Sequence, residues 1–343
     1  MERQVHHFGF ADLSAGHNRR YRSFLDEVQK ILRWNIIEKK LQQHLSHHKT
    51  DLRGNPSYPA LSMFKILLLQ RWYNLSDQET EYSLNDRLSF SRFAGFSLDS
   101  PLPDHTTICR FRNRLLGEDI LATLLEEVNN QLIDQGKLVK EGCVVDATII
   151  SSSRRPLKTI DVSHNPDNGQ AEVPPEDAGV KIFYSQDDDA SWTIKGKRSY
   201  YGYKGHFVTD IRDGFILSSH VTPAHYSDTR EFKSLVRKVK LPDKSRVYAD
   251  KGYASHDNRS FLKTIFRKDG IMSKGQRNHP LSLRSKKRNK LISKVRYIIE
   301  RCFGTLKRTY GLSRTRYLGQ AKVGLELFLA SIAFNLKKAA YMT

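Results

Sequence analysis

The chain has 343 residues, 57 Lys or Arg against 37 Asp or Glu, a net charge of +20 and 38% hydrophobic content. That is enough apolar material for a large buried core, and the length suggests about two domains. The cationic excess is the footprint of a polyanionic partner, nucleic acid first and a membrane surface second. No run of 18 apolar residues occurs and Met1–Phe10 has no apolar signal core, which argues against a spanning or secreted protein and for a cytoplasmic, nucleoid-associated one. Cys109, Cys143 and Cys302 are too scattered for a disulfide framework or a zinc site.

In chain order, Phe24, Val28, Ile31 and Leu32 recur at helical spacing, and a polar stretch with His44, His47, His48 and Lys49 follows. That His cluster lacks a second ligand pair and reads as solvated. Leu61, Phe64, Leu67, Leu68 and Trp72 predict a buried helix over 60–73. Ser76 with Glu79 forms a capping box for a second helix running to about Leu88, and Phe90, Phe93 and Phe96 continue the apolar packing. After the breaker Ser100-Pro-Leu-Pro103, Asp104 caps a helix carrying Arg110, Arg112 and Arg114, and a longer helix spans about 119–135. Residues 1–139 therefore read as an all-helical domain, compatible with a helix-turn-helix on DNA and equally with generic helical packing.

The texture changes at Lys140. Gly142 to Ile150 is a β-branched apolar run with Asp146 in its middle, and an acid in a buried strand costs several kcal/mol unless paired or metal-bound. A polar insertion at about 151–192 follows, in which Asp187-Asp188-Asp189 reads as a solvated acidic loop. Alternation returns at Tyr201, Tyr203 and Phe207, and Gly214–Val221 makes the hairpin partner across the Arg212-Asp213-Gly214 turn. A helix over 231–240 capped by Asp228, a strand from Arg246 that ends in Asp250 before the Gly252 turn, a helix over 260–266 and an edge strand over 270–273 come next. The order of elements in 140–343 is that of an α/β unit, a mixed sheet flanked by helices.

The last predicted helix contains Val295 to Lys307. At about 100° per residue, Val295, Ile298, Ile299, Cys302 and Leu306 fall in one apolar arc, and Arg296, Glu300 and Lys307 gather at its edge. An i, i+4 ion pair between Arg296 and Glu300 is the bland alternative. From Lys274 to Arg316 there are fourteen Lys or Arg and one acid, Glu300. Asp146, Asp250 and Glu300, 104 and 50 residues apart, supply the hard oxygen ligands that two-metal phosphoryl transfer on DNA requires.

Several motifs carry a resemblance over nearly the whole chain: Arg71-Trp-Tyr-Asn-Leu-Ser-Asp77, Ser100-Pro-Leu-Pro-Asp104-His-Thr-Thr-Ile108, Val145-Asp146-Ala-Thr-Ile-Ile150, Tyr203-Lys204-Gly-His206, Ala249-Asp250-Lys-Gly-Tyr253, and Arg296-x3-Glu300-x6-Lys307. The sequence resembles a DDE transposase of the insertion-sequence-5 group, within the insertion-sequence-4/5 superfamily. The resemblance implies an RNase H-like catalytic domain preceded by the helical one, with Asp146, Asp250 and Glu300 as catalytic and metal-binding triad. It implies two Mg²⁺ ions, with Mn²⁺ able to substitute, that activate water to cut the element's ends before the freed 3′-hydroxyl attacks target DNA. By the same likeness Arg296 and Lys307 hold DNA beside the scissile phosphate, and Lys204 and His206 are candidate DNA contacts. Arg110, Arg112 and Arg114 are candidate contacts of the helical domain, which would recognise terminal inverted repeats. The implied partners are double-stranded element ends and target, with a homodimer pairing two ends and no membrane. The family's tyrosine three residues before the arginine is Ser293 here. A nuclease that cuts without strand transfer and an inactive DNA-binding relative are the rival readings.

Overall fold

The computed structural model describes residues 23–46, 56–156, 160–162, 180–182, 186–275 and 279–342. Of the His-rich stretch, His47, His48 and Lys49 lie outside the described residues. The helical half comprises α1 (Phe24–Ile31), α2 (Trp34–Ser46), α3 (Ala60–Tyr73), α4 (Asp77–Asp86), α5 (Leu88–Ala94), α6 (His105–Arg114) and α7 (Glu118–Asp134). Ser23 with Asp26 and Ser76 with Glu79 close reciprocal capping boxes at α1 and α4, and Asp104 accepts the Thr107 amide at 2.6 Å to cap α6. These short polar side chains satisfy amides that a helix start leaves without partners.

The helix expected to run to about Leu88 ends at Asp86, and the apolar residues after it form a further short helix. Arg87 leaves helical geometry and α5 begins at Leu88, ending at Gly95 with φ +90°. The break turns Phe93 onto Trp34 and Trp72 (ring centroids 6.1 and 5.5 Å) and Phe90 onto Tyr73 (4.6 Å). The Arg87 amide still donates to the Ser83 carbonyl at 2.9 Å and its carbonyl accepts the Phe90 amide at 2.8 Å, so the rings are buried without stranding a backbone group at the turn.

The second half contains β1 (Gly142–Ser151), β2 (Ile160–Val162), β3 (Val180–Ile182), β4 (Ser191–Lys195), β5 (Arg198–Asp210), β6 (Ile216–Pro223), α8 (Asp228–Arg237), β7 (Arg246–Ala249), α9 (His256–Thr264), β8 (Lys268–Ile271), α10 (Leu283–Thr309) and α11 (Gln320–Ala340). β1 is central, antiparallel to β5 and parallel to β7. β6 continues the antiparallel side and β8 the parallel side. The resulting order β6-β5-β1-β7-β8 is the RNase H-like mixed sheet. β4 pairs with the first residues of β5 and β6 with the rest, while β2 and β3 form a separate two-stranded ribbon within the insertion. The β5–β6 turn is built on buried Asp210, whose carboxylate accepts the amides of Arg212, Asp213 and Phe215. Ser227, not Asp228, occupies the N-cap of α8, leaving Asp228 in its first turn.

Several elements went unread in the sequence, among them α2, the β2–β3 ribbon, β4 and α11. β4 is a five-residue edge strand. α11 is a 21-residue helix buried nearly all round, so it shows no one-sided apolar stripe. It packs on β6 on one side and on α1, α3 and α7 on the other. Asn335 donates to Asn129 of α7 and accepts from the Ile216 amide of β6, both at 2.8 Å. Trp72 donates to the Ala333 carbonyl at 2.8 Å, and Arg71 pairs with Glu326 at 2.7 Å. The helical half and the sheet thus share one apolar core.

The acidic run also differs from expectation. Asp187 is 2% exposed and accepts hydrogen bonds from Ser152 Oγ, Tyr203 Oη and the Gly319 amide. Asp189 accepts the Gln320 amide at 2.8 Å. The N-terminus of α11, where free amides and the helix dipole favour a negative charge, draws this acidic segment into the structure.

Candidate active site

Asp146 sits midway along β1 with Phe207 of β5 as its register partner, and Ala147 lies opposite His206. Since successive side chains alternate between faces, Asp146 and Phe207 point to the face covered by α10, where Phe207 packs on Phe303 at 5.5 Å. Asp250 follows β7 directly and opens the 3₁₀ turn Lys251–Tyr253. Parallel pairing sets Val145 of β1 beside Ala249 of β7, so the two aspartates lie at neighbouring strand positions.

The Arg296 guanidinium of α10 bridges them. Nη2 is 2.5 Å from Asp146 Oδ2, and Nη1 is 3.5 Å from Asp250 Oδ1. Arg296 therefore spends its charge on the two aspartates and forms no ion pair with Glu300. Glu300 is exposed, one turn further along α10, and i, i+4 neighbours on a helix have Cβ atoms roughly 5–6 Å apart. Burial drives the Asp146 carboxyl upward in pKa; Arg296 and the Ala147 amide pull it back, and nearby Asp250 adds to the rise. Two half-buried carboxylates sharing one cation form a site that favours positive charge.

These residues fit a divalent cation in part as placed. Asp146 and Asp250 already converge on a positive group, whereas among the described residues no three acidic, His or Cys side chains are close enough together to form a finished cage. Tyr297, 61% exposed, lies three residues before Glu300 on α10.

Lys307, two turns beyond Glu300, is half-buried; burial first, and then the like charge of Lys195 on β4, pull its ammonium below the ordinary lysine range. At the other end of the helix, Arg284, Lys286, Lys287, Lys290 and Lys294 are exposed along the first half of α10, which Arg288 ties to β8 through the carbonyls of Ile271 and Asp269.

Two sequence expectations are corrected. His206 is fully buried on the face away from Asp146, bonded to Thr222 Oγ1 at 2.9 Å. Burial, and secondarily His220 and Lys204, lower its pKa to about 3, so it is neutral and out of reach of DNA. Arg112 is likewise turned inward, 6% exposed, and fork-bonded to both Asp77 oxygens at 2.5 and 2.6 Å. Its helical neighbours Arg110 and Arg114 are exposed. Lys204 is partly buried, donating to the Tyr226 carbonyl at 2.7 Å and pairing with Asp228 at 3.0 Å.

Tyr253 went unread as a site residue. It is 1% exposed and its hydroxyl has no hydrogen-bond partner. Burial, with Asp146 and Asp228 close by, raises its pKa well above the ordinary value. Asn258 holds the turn by donating to the Tyr253 and Thr229 carbonyls, and Thr229 donates to Gly252. The sequence signal was an aromatic residue in an otherwise polar glycine turn directly after Asp250.

A mixed sheet that presents two aspartates to a basic helix bearing a glutamate is the scaffold of a DNA-processing enzyme class, and family comparison agrees. The model described as "Transposase DDE domain" matches residues 137–336, and "Transposase domain (DUF772)" matches residues 13–114. The chain belongs to the DDE transposase family. It is 38% identical over 234 residues to the transposase for insertion sequence element IS1106 of Neisseria meningitidis serogroup B, covering 67% of this chain and 77% of that protein. Among solved structures, a piggyBac transposase synaptic complex with hairpin DNA aligns over 94% of this chain and 76% of that one, at 10% identity and TM-score 0.43. A Mos1 transposase paired-end complex with left transposon end aligns over 87% and 92%, at 9% identity and TM-score 0.21. Among the described residues no helix is long and apolar enough to cross a membrane.

Proposed function

We propose that this insertion-sequence transposase belongs to the insertion-sequence-5 group, binds the terminal inverted repeats of its element, cleaves the DNA ends and joins them to target DNA. The observation that carries this reading is the convergence of Asp146 and Asp250 on Arg296, one helical turn from Glu300. Asp146, Asp250 and Glu300 would hold Mg²⁺ or Mn²⁺. Such ions supply Lewis-acid stabilisation of charge on the phosphate and lower the pKa of a water nucleophile.

The chain's own groups account for the remainder. Arg296 acts as a counter-charge that keeps the two aspartates together while the site is empty of substrate. Once those carboxylates are otherwise engaged, its guanidinium is free to turn to a DNA phosphate, for which its planar fork is well shaped. Lys307, with Lys195 beside it, and the exposed cations of α10 hold the backbone on either side. Exposed Arg110 and Arg114 on α6 would bring the helical half to the same polyanion, in the role of end recognition. Synapsis of two ends calls for two copies of the chain.

The test is a Mg²⁺-dependent cleavage and joining assay on DNA carrying the element's ends, with Asp146→Asn, Asp250→Asn and Glu300→Gln beside the wild type. Binding without cutting or joining in each variant is the expected result. Retained cutting in any variant removes that residue from the triad, and cutting without joining by the wild type makes the protein a nuclease.

A further inference from the structure

Beyond the far end of β1 lies a cavity of about 730 Å³ whose lining includes Ser152, Arg154, Arg155, Trp192, Tyr200 and Arg314. It is separate from the carboxylates. Ser151 is five residues past Asp146 on the same strand, roughly 17 Å at 3.3–3.4 Å per residue. That span corresponds to about five nucleotides of duplex at 3.4 Å each.

The walls are built and held. Ser152 Oγ and Tyr203 Oη both donate to the buried carboxylate of Asp187 at 2.7 Å, and Tyr201 Oη donates to the Asp187 carbonyl at 2.7 Å. The segment after α10 joins the end of β1 through Ser151 N to Ser313 O (3.1 Å) and Thr315 N to Ser151 O (2.9 Å). Arg314 donates from Nη2 to the Ser153 carbonyl at 2.8 Å, which fixes its guanidinium at the rim. Trp192 projects from edge strand β4, 49% exposed, with its ring 5.2 Å from that of Tyr201. An exposed indole fixed against a second ring, with three arginines lining the same cavity, combines a stacking surface with anion donors.

We propose that this cavity binds an unpaired nucleotide of the DNA substrate, its base on Trp192 and its phosphate among Arg154, Arg155 and Arg314. A paired base cannot offer its face to an indole while it remains in the stack, whereas an unpaired or extruded one can. The cavity thus selects frayed or single-stranded DNA near the site of cutting. This inference rests on the reading of the chain as a DNA-processing enzyme.

The three tryptophans provide the assay. Trp34 and Trp72 are 8% and 4% exposed, so collisional quenching of the full-length protein by acrylamide reports on Trp192. A short oligothymidylate should protect that emission from acrylamide to saturation, while a blunt duplex of equal length bound at the same salt should not. In anisotropy titrations with labelled oligothymidylate, Trp192→Ala should weaken binding about tenfold and Trp192→Phe should restore most of it. Arg155→Ala should lower the salt slope by roughly 0.7, the value for one single-strand phosphate contact. Far-UV circular dichroism checks that each variant is folded. Equal protection by duplex, or unchanged affinity in Trp192→Ala, overturns the proposal. End cleavage by the wild type is measured alongside: loss of cleavage with Trp192 protection intact rejects the transposition reading alone, and the reverse pattern rejects the pocket alone.

Discussion

Arg71 of α3 and Glu326 of α11 meet at 2.7 Å with side chains only 3% and 2% exposed, and the second Glu326 oxygen accepts from Thr315 Oγ1 at 2.6 Å. A buried ion pair gains little over an apolar pair, but removing one partner strands a charge. Arg71→Leu or Glu326→Leu alone should therefore cost about 3–5 kcal/mol. The double variant should recover most of that loss. Urea unfolding of the three variants checks the non-additivity.

Arg112 and its neighbours on α6 should separate stability from DNA affinity. Although burial opposes it, hydrogen bonds from Arg112 and Gln70 hold the Asp77 carboxyl below its ordinary pKa. Arg112→Ala should destabilise the protein by about 2 kcal/mol, in the range of a charged hydrogen bond. Arg110→Ala and Arg114→Ala should leave the melting temperature unchanged and weaken DNA binding. Thermal melts and filter binding on the same preparations distinguish the two effects.

His206 makes stability depend on pH. Its folded pKa is depressed to about 3, below the unfolded value near 6.5, so the unfolded chain binds the proton first. The stabilisation is complete above about pH 6.5 and is lost as pH falls from there toward 3, with a limiting slope of about 1.4 kcal/mol per pH unit. His206→Gln should flatten the slope between pH 6 and 4 in chemical unfolding, even though it lowers stability at neutral pH.

The exposed Lys286, Lys287, Lys290 and Lys294 of α10 should act by charge alone. Each Lys→Gln change should reduce the slope of log affinity against log salt by about 0.9 if that lysine meets a phosphate. Non-specific and end-specific DNA should be affected equally.

Arg296 should compete with divalent ions for the aspartates. In Arg296→Gln the Asp146–Asp250 pair loses its counter-charge, so the metal-free protein should melt lower than wild type. Mg²⁺ should raise its melting temperature by more than it raises that of the wild type, and chelation should reverse the gain. An equal rise in both proteins would show that Arg296 and the ion do not share the site.

Much of the catalytic half was legible because its signals are local. An acid in the apolar run around Asp146, an acid before the glycine turn at Asp250 and the apolar arc of α10 each follow from strand or helix periodicity. What could not be read depends on partners distant in the chain. Lys204 and His206 sit on a strand covered on both faces, so alternation alone could not say that His206 points away from Asp146. Arg112 looks like its exposed neighbours until Asp77, 35 residues away, is in place. Asp187 reads as a solvent residue because the α11 terminus it serves is 132 residues downstream. The pairing of Arg296 with Asp146 and Asp250 was likewise out of sight, because it joins α10 to two strands distant in the chain.

The shared helix α11 also sets a timetable for making the protein. Trp72 waits for the carbonyl of Ala333, 261 residues later, which at 5–20 residues per second is roughly 13–50 s of ribosome time. Until α11 has emerged, α3 lacks part of its burial and Arg71 lacks its counter-ion. A chain that stops short of α11 therefore lacks the Trp72 and Arg71 partners and leaves the shared core incompletely packed.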